Sequence, residues 1–171
     1  MPAVVVRVEK TADFDAITSV VDAAFGDPTV SAMVAWLRES PGYVPELAFV
    51  AEEAGHVVGY TMLSYVAVEG TDRRVLMLTP MAVRPDRQRR GIGTALGRAA
   101  LAAADERGEP LVVVEGIPAY YPRFGFRPAL DLGLLPPTPN IPEGAWMAIA
   151  LAGYDTALRG RVVYPAGFLV P

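Results

Sequence analysis

Cysteine is absent from this sequence of 171 residues, and histidine occurs once, at His56. The lack of cysteine excludes disulfides, thiolate metal sites and any acyl transfer that passes through an enzyme thioester. A single histidine gives little material for a Ser-His-Asp triad or a histidine-based zinc site. His56 also follows Ala54-Gly55, a turn between two predicted strands, so we expect it to be solvated. Catalysis, if present, must rest on other side chains.

Long apolar runs and an excess of basic residues are also missing. The longest apolar stretch, from Ala145 to Gly153, is about half of the roughly 20 residues that a helix needs to cross a membrane. The N-terminus does not begin with the basic and then apolar pattern of a signal peptide. A formal net charge of −4 and a pI near 5.0 argue against a nucleic-acid partner. The sequence predicts one cytoplasmic domain over residues 1–171, with no membrane partner.

The chemically informative segment is a basic turn with two glycines that opens a long alanine-rich helix. An apolar strand ending at Val83 precedes the turn, and the predicted helix runs from Thr94 to Arg107. The first N–H groups of a helix have no partner inside the helix, and the helix dipole favours an anion there. Phosphate commonly occupies such a site. Four arginines surround this turn in an acidic background, which favours capture of one polyanionic small molecule: Arg84, Arg87, Arg89 and Arg90.

The turn departs from two well-known phosphate motifs. A nucleotide-triphosphate loop needs a lysine after its last glycine, but Thr94 follows Gly93 directly. A dinucleotide fingerprint needs a G-x-G-x-x-G spacing, and Gly97 lies one residue too far along. A helix start that binds no ligand is the remaining alternative at this point.

Gln88-Arg89-Arg90-Gly91-Ile92-Gly93 resembles the Q/R-x-x-G-x-G/A signature of the GNAT superfamily, the acyl-CoA-dependent N-acetyltransferases. About thirty residues later, Tyr121-Pro122-Arg123-Phe124-Gly125-Phe126 resembles the Y-x-x-x-G-F element of the same superfamily. The segment from Leu37 through Tyr60 and residues 119–126 are similar to its YhbS-like branch. The resemblance extends over residues 4–151.

This resemblance implies that acetyl-CoA is the cosubstrate, without a metal. The backbone amides of the turn would hold the coenzyme's pyrophosphate, and its pantetheine arm would fill a gap beside the strand that precedes the turn. Pro80 would mark the point where regular strand pairing ends. The implied coenzyme-binding residues are Met81, Ala82, Val83, Gln88, Arg89, Arg90, Gly91, Ile92, Gly93 and Thr94.

The resemblance also implies catalytic roles. Tyr121 occupies the position where the family places a tyrosine that protonates the departing thiolate. Many relatives carry a glutamate on the strand before the turn, but residues 75–83 contain no acidic residue. Glu115, at the end of the following strand, is the substitute that we select as general base, and a solvated carboxylate with no role is the alternative. Weaker candidates are Glu52, Glu53, Asp131 and a chain of water molecules.

The expected function is therefore transfer of an acetyl group from acetyl-CoA to a primary amine on a small molecule or a protein. With no cysteine, we expect direct attack in a ternary complex. The alternative is a non-catalytic acyl-CoA-binding sensor or interaction module. The expected partner is an amine acceptor, and homodimers are frequent in the family. Aromatic side chains considered as walls of the acceptor pocket are Phe25, Trp36, Tyr43 and Trp146.

Hydrophobic periodicity predicts that the chain contains both helices and strands, so the expected fold class is α/β (mixed α+β). The expected strands are residues 4–8 (buried), 47–52, 56–68, 73–83, 111–114, 146–151 and 161–164, and the expected helices start near Phe14, Thr29 and Thr94. The proline-rich segment 128–142 is expected to be a loop without regular structure that covers the acceptor site. By resemblance, the fold is a mixed, mostly antiparallel sheet, splayed in the middle, with helices on both faces.

Overall fold

The computed structural model describes residues 2–168. One-turn 3-10 helices occur at Thr11–Asp13, Pro85–Arg87, Tyr121–Phe124, Ala129–Leu132 and Glu143–Ala145. The longer elements, in chain order, are β1 (Val4–Val8), α1 (Phe14–Phe25), α2 (Thr29–Arg38), β2 (Tyr43–Glu53), β3 (His56–Val68), β4 (Arg74–Val83), α3 (Ile92–Glu106), β5 (Leu111–Glu115), β6 (Arg127–Pro128), β7 (Leu134–Leu135), β8 (Trp146–Ala150) and β9 (Gly160–Val163).

The strands form one mixed sheet in the order β1-β2-β3-β4-β5-β8-β6. Strand pairs along this path are antiparallel except for β4 and β5, which run parallel because α3 connects them. β9 pairs with the end of β3 and, on its other side, with β7. The prediction of a mixed, mostly antiparallel sheet is confirmed.

β4 and β5 separate after a short paired stretch. Their register contains only Leu76 with Val112 and Met77 with Val113, although β4 continues to Val83. On its other edge β4 has a bulge, because Thr79 and Pro80 together lie opposite Met62 of β3. The backbone of β4 beyond Met77 is therefore uncovered by β5, and a gap opens inside the sheet.

Helices cover both faces of this sheet. α1 and α2 pack on one face, where Val21 and Leu37 join a buried cluster with Tyr60 of β3. α3 packs on the other face, where Leu96 joins a second cluster with Leu76 of β4. Side chains alternate between these faces along each strand, so neighbouring residues of β4 or β5 belong to different clusters.

The prediction that residues 4–8 form a buried strand is right about the strand and wrong about its burial. Within residues 2–168, β1 lies at the edge of the sheet and pairs with β2 alone. Val5 is 57% exposed. A run of valines favours extended backbone at an edge as well as at the centre of a sheet, so composition alone does not distinguish the two.

The expectation that the proline-rich segment lacks regular structure is also wrong. The segment contains the second residue of β6, the 3-10 turn Ala129–Leu132 and the two-residue strand β7. Proline is compatible with these elements, because it fits sheet edges and helix starts where its missing N–H is not needed.

A buried carboxylate links four elements on the α1 and α2 side. Glu9, whose side chain is 2% exposed, accepts hydrogen bonds from both Nε and Nη2 of Arg38 at 3.3 and 2.9 Å. The hydroxyl of Tyr60 donates to the same carboxylate at 2.9 Å, and the hydroxyl of Tyr43 also donates to it. The Arg38 guanidinium lies 3.7 Å from the ring centroid of Phe14. This network joins the end of β1 to α2, β2 and β3.

Among residues 2–168, the helices are all too short or too polar to cross a bilayer.

Candidate active site

A cleft of about 730 Å³ passes through the gap between β4 and β5. Its walls come from the end of β4, the glycine turn, the start of α3, the segment after β5 and the last residue of α1. It brings together most of the predicted site residues: Met81, Val83, Gln88, Arg89, Gly91, Ile92, Gly93, Thr94, Glu115 and Tyr121.

Two predicted coenzyme residues do not line the cleft. Ala82 is buried in the cluster beneath α1 and α2, because strand alternation turns its side chain away from Met81 and Val83. Arg90 follows Arg89 in the turn, and its exposed side chain lies outside the cleft walls.

The glycine turn presents the start of α3 to the cleft. Gly91 is the residue before the first helical position and has φ of 83°, a left-handed conformation that side chains disfavour. Arg89 also has a positive φ of 63°. Within the described residues no side chain caps this helix start, so its first N–H groups point to the cleft from a helix of 15 residues. An anion fits this end.

The four arginines near the turn are not equivalent. Arg84 donates to Asp86 at 2.6 Å, and Arg87 donates to both Asp86 and Glu53. The hydrogen bond from Arg84 lowers the pKa of Asp86 to about 2, so this partner stays ionised.

Arg89 and Arg90, in contrast, have no ion pair with any carboxylate of residues 2–168. Of the four arginines near the turn, Arg89 and Arg90 are thus the two whose charge no carboxylate of the described residues offsets.

The remaining contacts of the turn fix it against its neighbours. Gln88 Nε2 donates to the carbonyl of Val83 at 3.1 Å, which ties the turn to the end of β4. The hydroxyl of Tyr120 lies against Gly93, and the Arg123 guanidinium stacks 4.0 Å from the centroid of the Tyr120 ring. Tyr120 thus contributes a polar group beside the helix start.

Tyr121 lies on the α3 side of the cleft. Its ring is packed edge-to-face against Tyr120 and Phe126, at centroid distances of 5.1 and 5.8 Å. Burial, followed by the influence of Tyr120, raises the pKa of Tyr121 above the ordinary value. The hydroxyl therefore holds its proton at neutral pH and can donate it to an anionic atom in the cleft.

The position of Tyr121 depends on close contact with Gly116. A Cβ atom at residue 116 would overlap the Tyr121 ring. We expect Gly116→Ala to displace the ring and to lower kcat for the expected acetyl transfer by about 10²-fold. A misplacement of about 1 Å in an active site reduces a rate by that factor. Steady-state kinetics check this, with Gly144→Ala as control, because a Cβ there would meet Pro118 at an ordinary 3.5 Å. Wild-type kcat in Gly116→Ala would show that this contact does not hold the ring in place.

Glu115 reaches the cleft from the opposite face of the sheet. It is half-buried at the end of β5, and its Oε1 accepts a hydrogen bond from the hydroxyl of Tyr164 at 2.8 Å. Tyr164 packs against Trp146 in the cluster beneath α1 and α2. Burial and the carboxylate of Glu115 raise the pKa of Tyr164, so this tyrosine remains a hydrogen-bond donor.

The other carboxylates considered as bases lie outside the cleft walls. Glu52 is paired with Arg7 at 2.8 Å and Glu53 with Arg87 at 3.1 Å. Asp131 lies 3.6 Å from Arg127 on the surface. Glu115 is therefore the acidic side chain that the cleft contains.

Of the four aromatic residues considered for the acceptor pocket, Phe25 lines the cleft. Tyr43 is bound to Glu9, and Trp146 is buried with its Nε1 donating to the carbonyl of Leu134 at 3.0 Å. Trp36 packs beside Gly167. Residues 128–142 contribute none of the walls of this cleft, so their role at the acceptor site stays a prediction.

Several contributors to the cleft were not identified from the sequence. Gly116 acts through a missing side chain, and Tyr164 acts through a hydrogen bond to Glu115, 49 residues away. Arg123 contacts the nearby Tyr120, but its position in the sequence does not reveal that contact. In residues 2–168, no cluster of three or more histidine, aspartate or glutamate side chains is arranged to hold a metal ion.

Comparisons with known proteins agree on one family. The family model described as the acetyltransferase (GNAT) domain matches residues 5–129. The uncharacterized N-acetyltransferase YjhQ of Escherichia coli K12 is 34% identical over 156 residues, which cover 88% of this chain and 86% of YjhQ.

Two crystal structures extend the comparison to the whole fold. The GNAT family N-acetyltransferase YhbS of Escherichia coli, in complex with CoA, has a TM-score of 0.88 at 29% identity, covering 98% of this chain and 92% of that one. A GNAT family acetyltransferase of Brucella melitensis, in complex with acetyl-CoA, has a TM-score of 0.80 at 28% identity, covering 98% and 99%.

Proposed function

The chain belongs to the GNAT family of N-acetyltransferases, and on that premise we propose that its cleft binds acetyl-CoA and catalyses direct acetyl transfer to a primary amine. The family and its YhbS-like branch, predicted from two motifs, are confirmed. The observation that carries the proposal is one continuous cleft from the α3 N-terminus through the gap between β4 and β5.

In this proposal the pyrophosphate of acetyl-CoA binds at the start of α3. Unpartnered helical N–H groups and the helix dipole attract it, as they attract phosphate in general. Arg89 and Arg90, which have no carboxylate partner in the described structure, add positive charge. The left-handed backbone at Gly91 keeps the turn open to the phosphate.

The pantetheine arm follows β4 through the gap. Its amide groups can form hydrogen bonds with the backbone of Met81 and Val83, where β5 no longer pairs with β4. The thioester carbonyl then lies between the two faces of the sheet. Backbone N–H groups of β4 can polarise this carbonyl and stabilise the negative charge that develops on it.

Tyr121 and Glu115 supply proton transfers from opposite faces. The Glu115 carboxylate takes one proton from the bound ammonium group, and the neutral amine nitrogen then attacks the thioester carbon. When the C–S bond breaks, the sulfur takes the proton of the Tyr121 hydroxyl and leaves as a thiol. The excess proton on the nitrogen restores the Tyr121 hydroxyl, and Glu115 releases its proton to water. An alkyl amine has a pKa near 10 and is mostly protonated at neutral pH, so a base that removes its proton promotes the attack.

Calorimetric titration with acetyl-CoA, ATP and NAD tests the proposed cosubstrate. We expect selective binding of acetyl-CoA, followed by release of free thiol when a primary amine is added. Tighter binding of ATP than of acetyl-CoA would contradict the proposal. Binding without thiol release from any amine would instead favour a non-catalytic acyl-CoA-binding module.

Removing the two unpaired arginines should weaken coenzyme binding. In the double variant Arg89→Ala/Arg90→Ala we expect the Kd for acetyl-CoA to rise about tenfold, because the variant loses the charge of Arg89 in the cleft wall and that of Arg90 beside it. The effect should be larger at low salt, because dissolved ions screen exposed charges. The control is Arg98→Ala/Arg127→Ala, which removes equal charge from exposed positions outside the cleft. An equal loss at all salt concentrations would indicate packing instead.

The amine acceptor, a homodimeric assembly and a cytoplasmic location stay predictions of the sequence. Size-exclusion chromatography with light scattering tests the assembly, and cell fractionation tests the location.

A further inference from the structure

We infer that the acceptor is a monoamine whose remaining part is apolar and uncharged, an inference that rests on the proposed function. It comes from three wall residues that belong to neither β4, the glycine turn nor α3, and that we call the acceptor end of the cleft: Glu115, Ile117 and Phe25. They offer one negative charge and two large apolar surfaces, and each of these features restricts the acceptor.

A single carboxylate faces this end of the cleft. Glu115 is the one acidic residue among the cleft walls in the described structure. Tyr164 donates to its Oε1, and no donor of residues 2–168 binds its Oε2. An ammonium group can approach that oxygen, which attracts it by opposite charge and can then remove its proton. One ammonium per acceptor matches this arrangement.

The cations of the cleft walls lie in the glycine turn or are held by Tyr120. Arg87 and Arg89 belong to the turn before α3, and Arg87 is bound to Glu53 and Asp86. Arg123 is held by the carbonyl and ring of Tyr120, whose hydroxyl lies at the helix start. An acceptor carboxylate near Glu115 would therefore meet like charge, while these guanidiniums belong to the coenzyme turn or are engaged by Tyr120.

The apolar part of the acceptor has two side chains to contact. Phe25 is 46% exposed at the end of α1, and Ile117 is 68% exposed two residues after Glu115. Contact with an aliphatic or aromatic substituent would remove apolar surface from water at both positions. A second ammonium placed there would lose water without gaining a carboxylate, which disfavours diamines.

The first test compares amines that differ by one charged group. Acetyl-CoA turnover is measured with 2-phenylethylamine against phenylalanine, and with hexylamine against 1,6-diaminohexane. We expect kcat/KM to be at least about tenfold higher for the monoamine of each pair, because the second charged group of the other amine would stay unpaired in the cleft. Equal or reversed preference in either pair would overturn the inference.

A gain of function provides the second test. Ile117→Arg places a guanidinium beside the acceptor, so the kcat/KM ratio of phenylalanine to 2-phenylethylamine should rise at least about tenfold. Leu130→Arg adds the same charge at an exposed leucine outside the cleft and should keep the wild-type ratio. An unchanged ratio in Ile117→Arg would show that the acceptor does not bind beside this residue.

Calorimetry with acetyl-CoA separates failure of this inference from failure of the proposed function. If acetyl-CoA binds but phenylalanine or the diamine is preferred, the acceptor class is wrong and the acetyltransferase proposal stands. If acetyl-CoA does not bind, both are overturned.

Discussion

Tyr121→Phe is expected to reduce kcat by about 10²-fold to 10³-fold, the usual contribution of a general acid. The variant removes only the hydroxyl, and the ring keeps its contacts with Tyr120 and Phe126. Coenzyme binding should therefore change little. Single-turnover kinetics with a saturating amine, together with calorimetry of acetyl-CoA binding, measure the two effects separately.

Tyr120→Phe is the matched control, because the two tyrosines are adjacent and both line the cleft. The Tyr120 hydroxyl lies against Gly93 at the helix start, on the coenzyme side. We expect Tyr120→Phe to alter acetyl-CoA affinity more than kcat. If Tyr120→Phe loses turnover and Tyr121→Phe keeps it, the proton comes from Tyr120 and the assignment of Tyr121 is wrong.

Glu9→Ala is expected to lower the free energy of unfolding by about 3–5 kcal/mol, the range observed when one partner of a buried ion pair is removed. Arg38, whose side chain is 10% exposed, would lose its carboxylate partner but keep its charge. The hydroxyls of Tyr43 and Tyr60 would lose their acceptor as well. Urea denaturation followed by circular dichroism measures the change.

Two further variants test that explanation. Glu9→Leu/Arg38→Met removes both charges and should be less destabilised than Glu9→Ala, because no buried charge is left unpaired. Glu46→Ala, at an exposed carboxylate of β2, should stay within about 0.5 kcal/mol of the wild type. A loss below about 1 kcal/mol in Glu9→Ala would show that the network contributes little to stability.

Local patterns were enough to predict most strands and helices. The strand His56–Val68 and the start of α2 at Thr29 agree with the predicted bounds, because short turns and apolar periodicity mark them. α3 starts at Ile92, two residues before the predicted Thr94, since a helix can begin inside a glycine turn. The position of β1 at the sheet edge was not predictable, because pairing depends on strands distant in the sequence.

The candidate site and its surroundings likewise contain residues that local pattern identifies and residues that it does not. The turn Gln88–Gly93 was identified because adjacent residues carry its pattern. The partners of the two carboxylates could not be identified, because they are distant in the sequence. Arg38 lies 29 residues from Glu9, and Tyr164 lies 49 residues from Glu115. Likewise, nothing in the sequence distinguishes Arg87, which is bound to Glu53 34 residues away, from Arg89.

The gap between β4 and β5 also makes a strand edge available inside the sheet. The uncovered edge of β4 begins in the middle of the sheet, where β3 continues on one side and β5 diverges on the other. Unpaired strand edges at the rim of a sheet invite other polypeptides to pair with them. Here an extended ligand that carries amide groups can pair with the free backbone as a neighbouring strand would, at a spacing of roughly 4.8 Å. The sheet thus provides part of the binding surface from its main chain, which substitution of a side chain leaves in place.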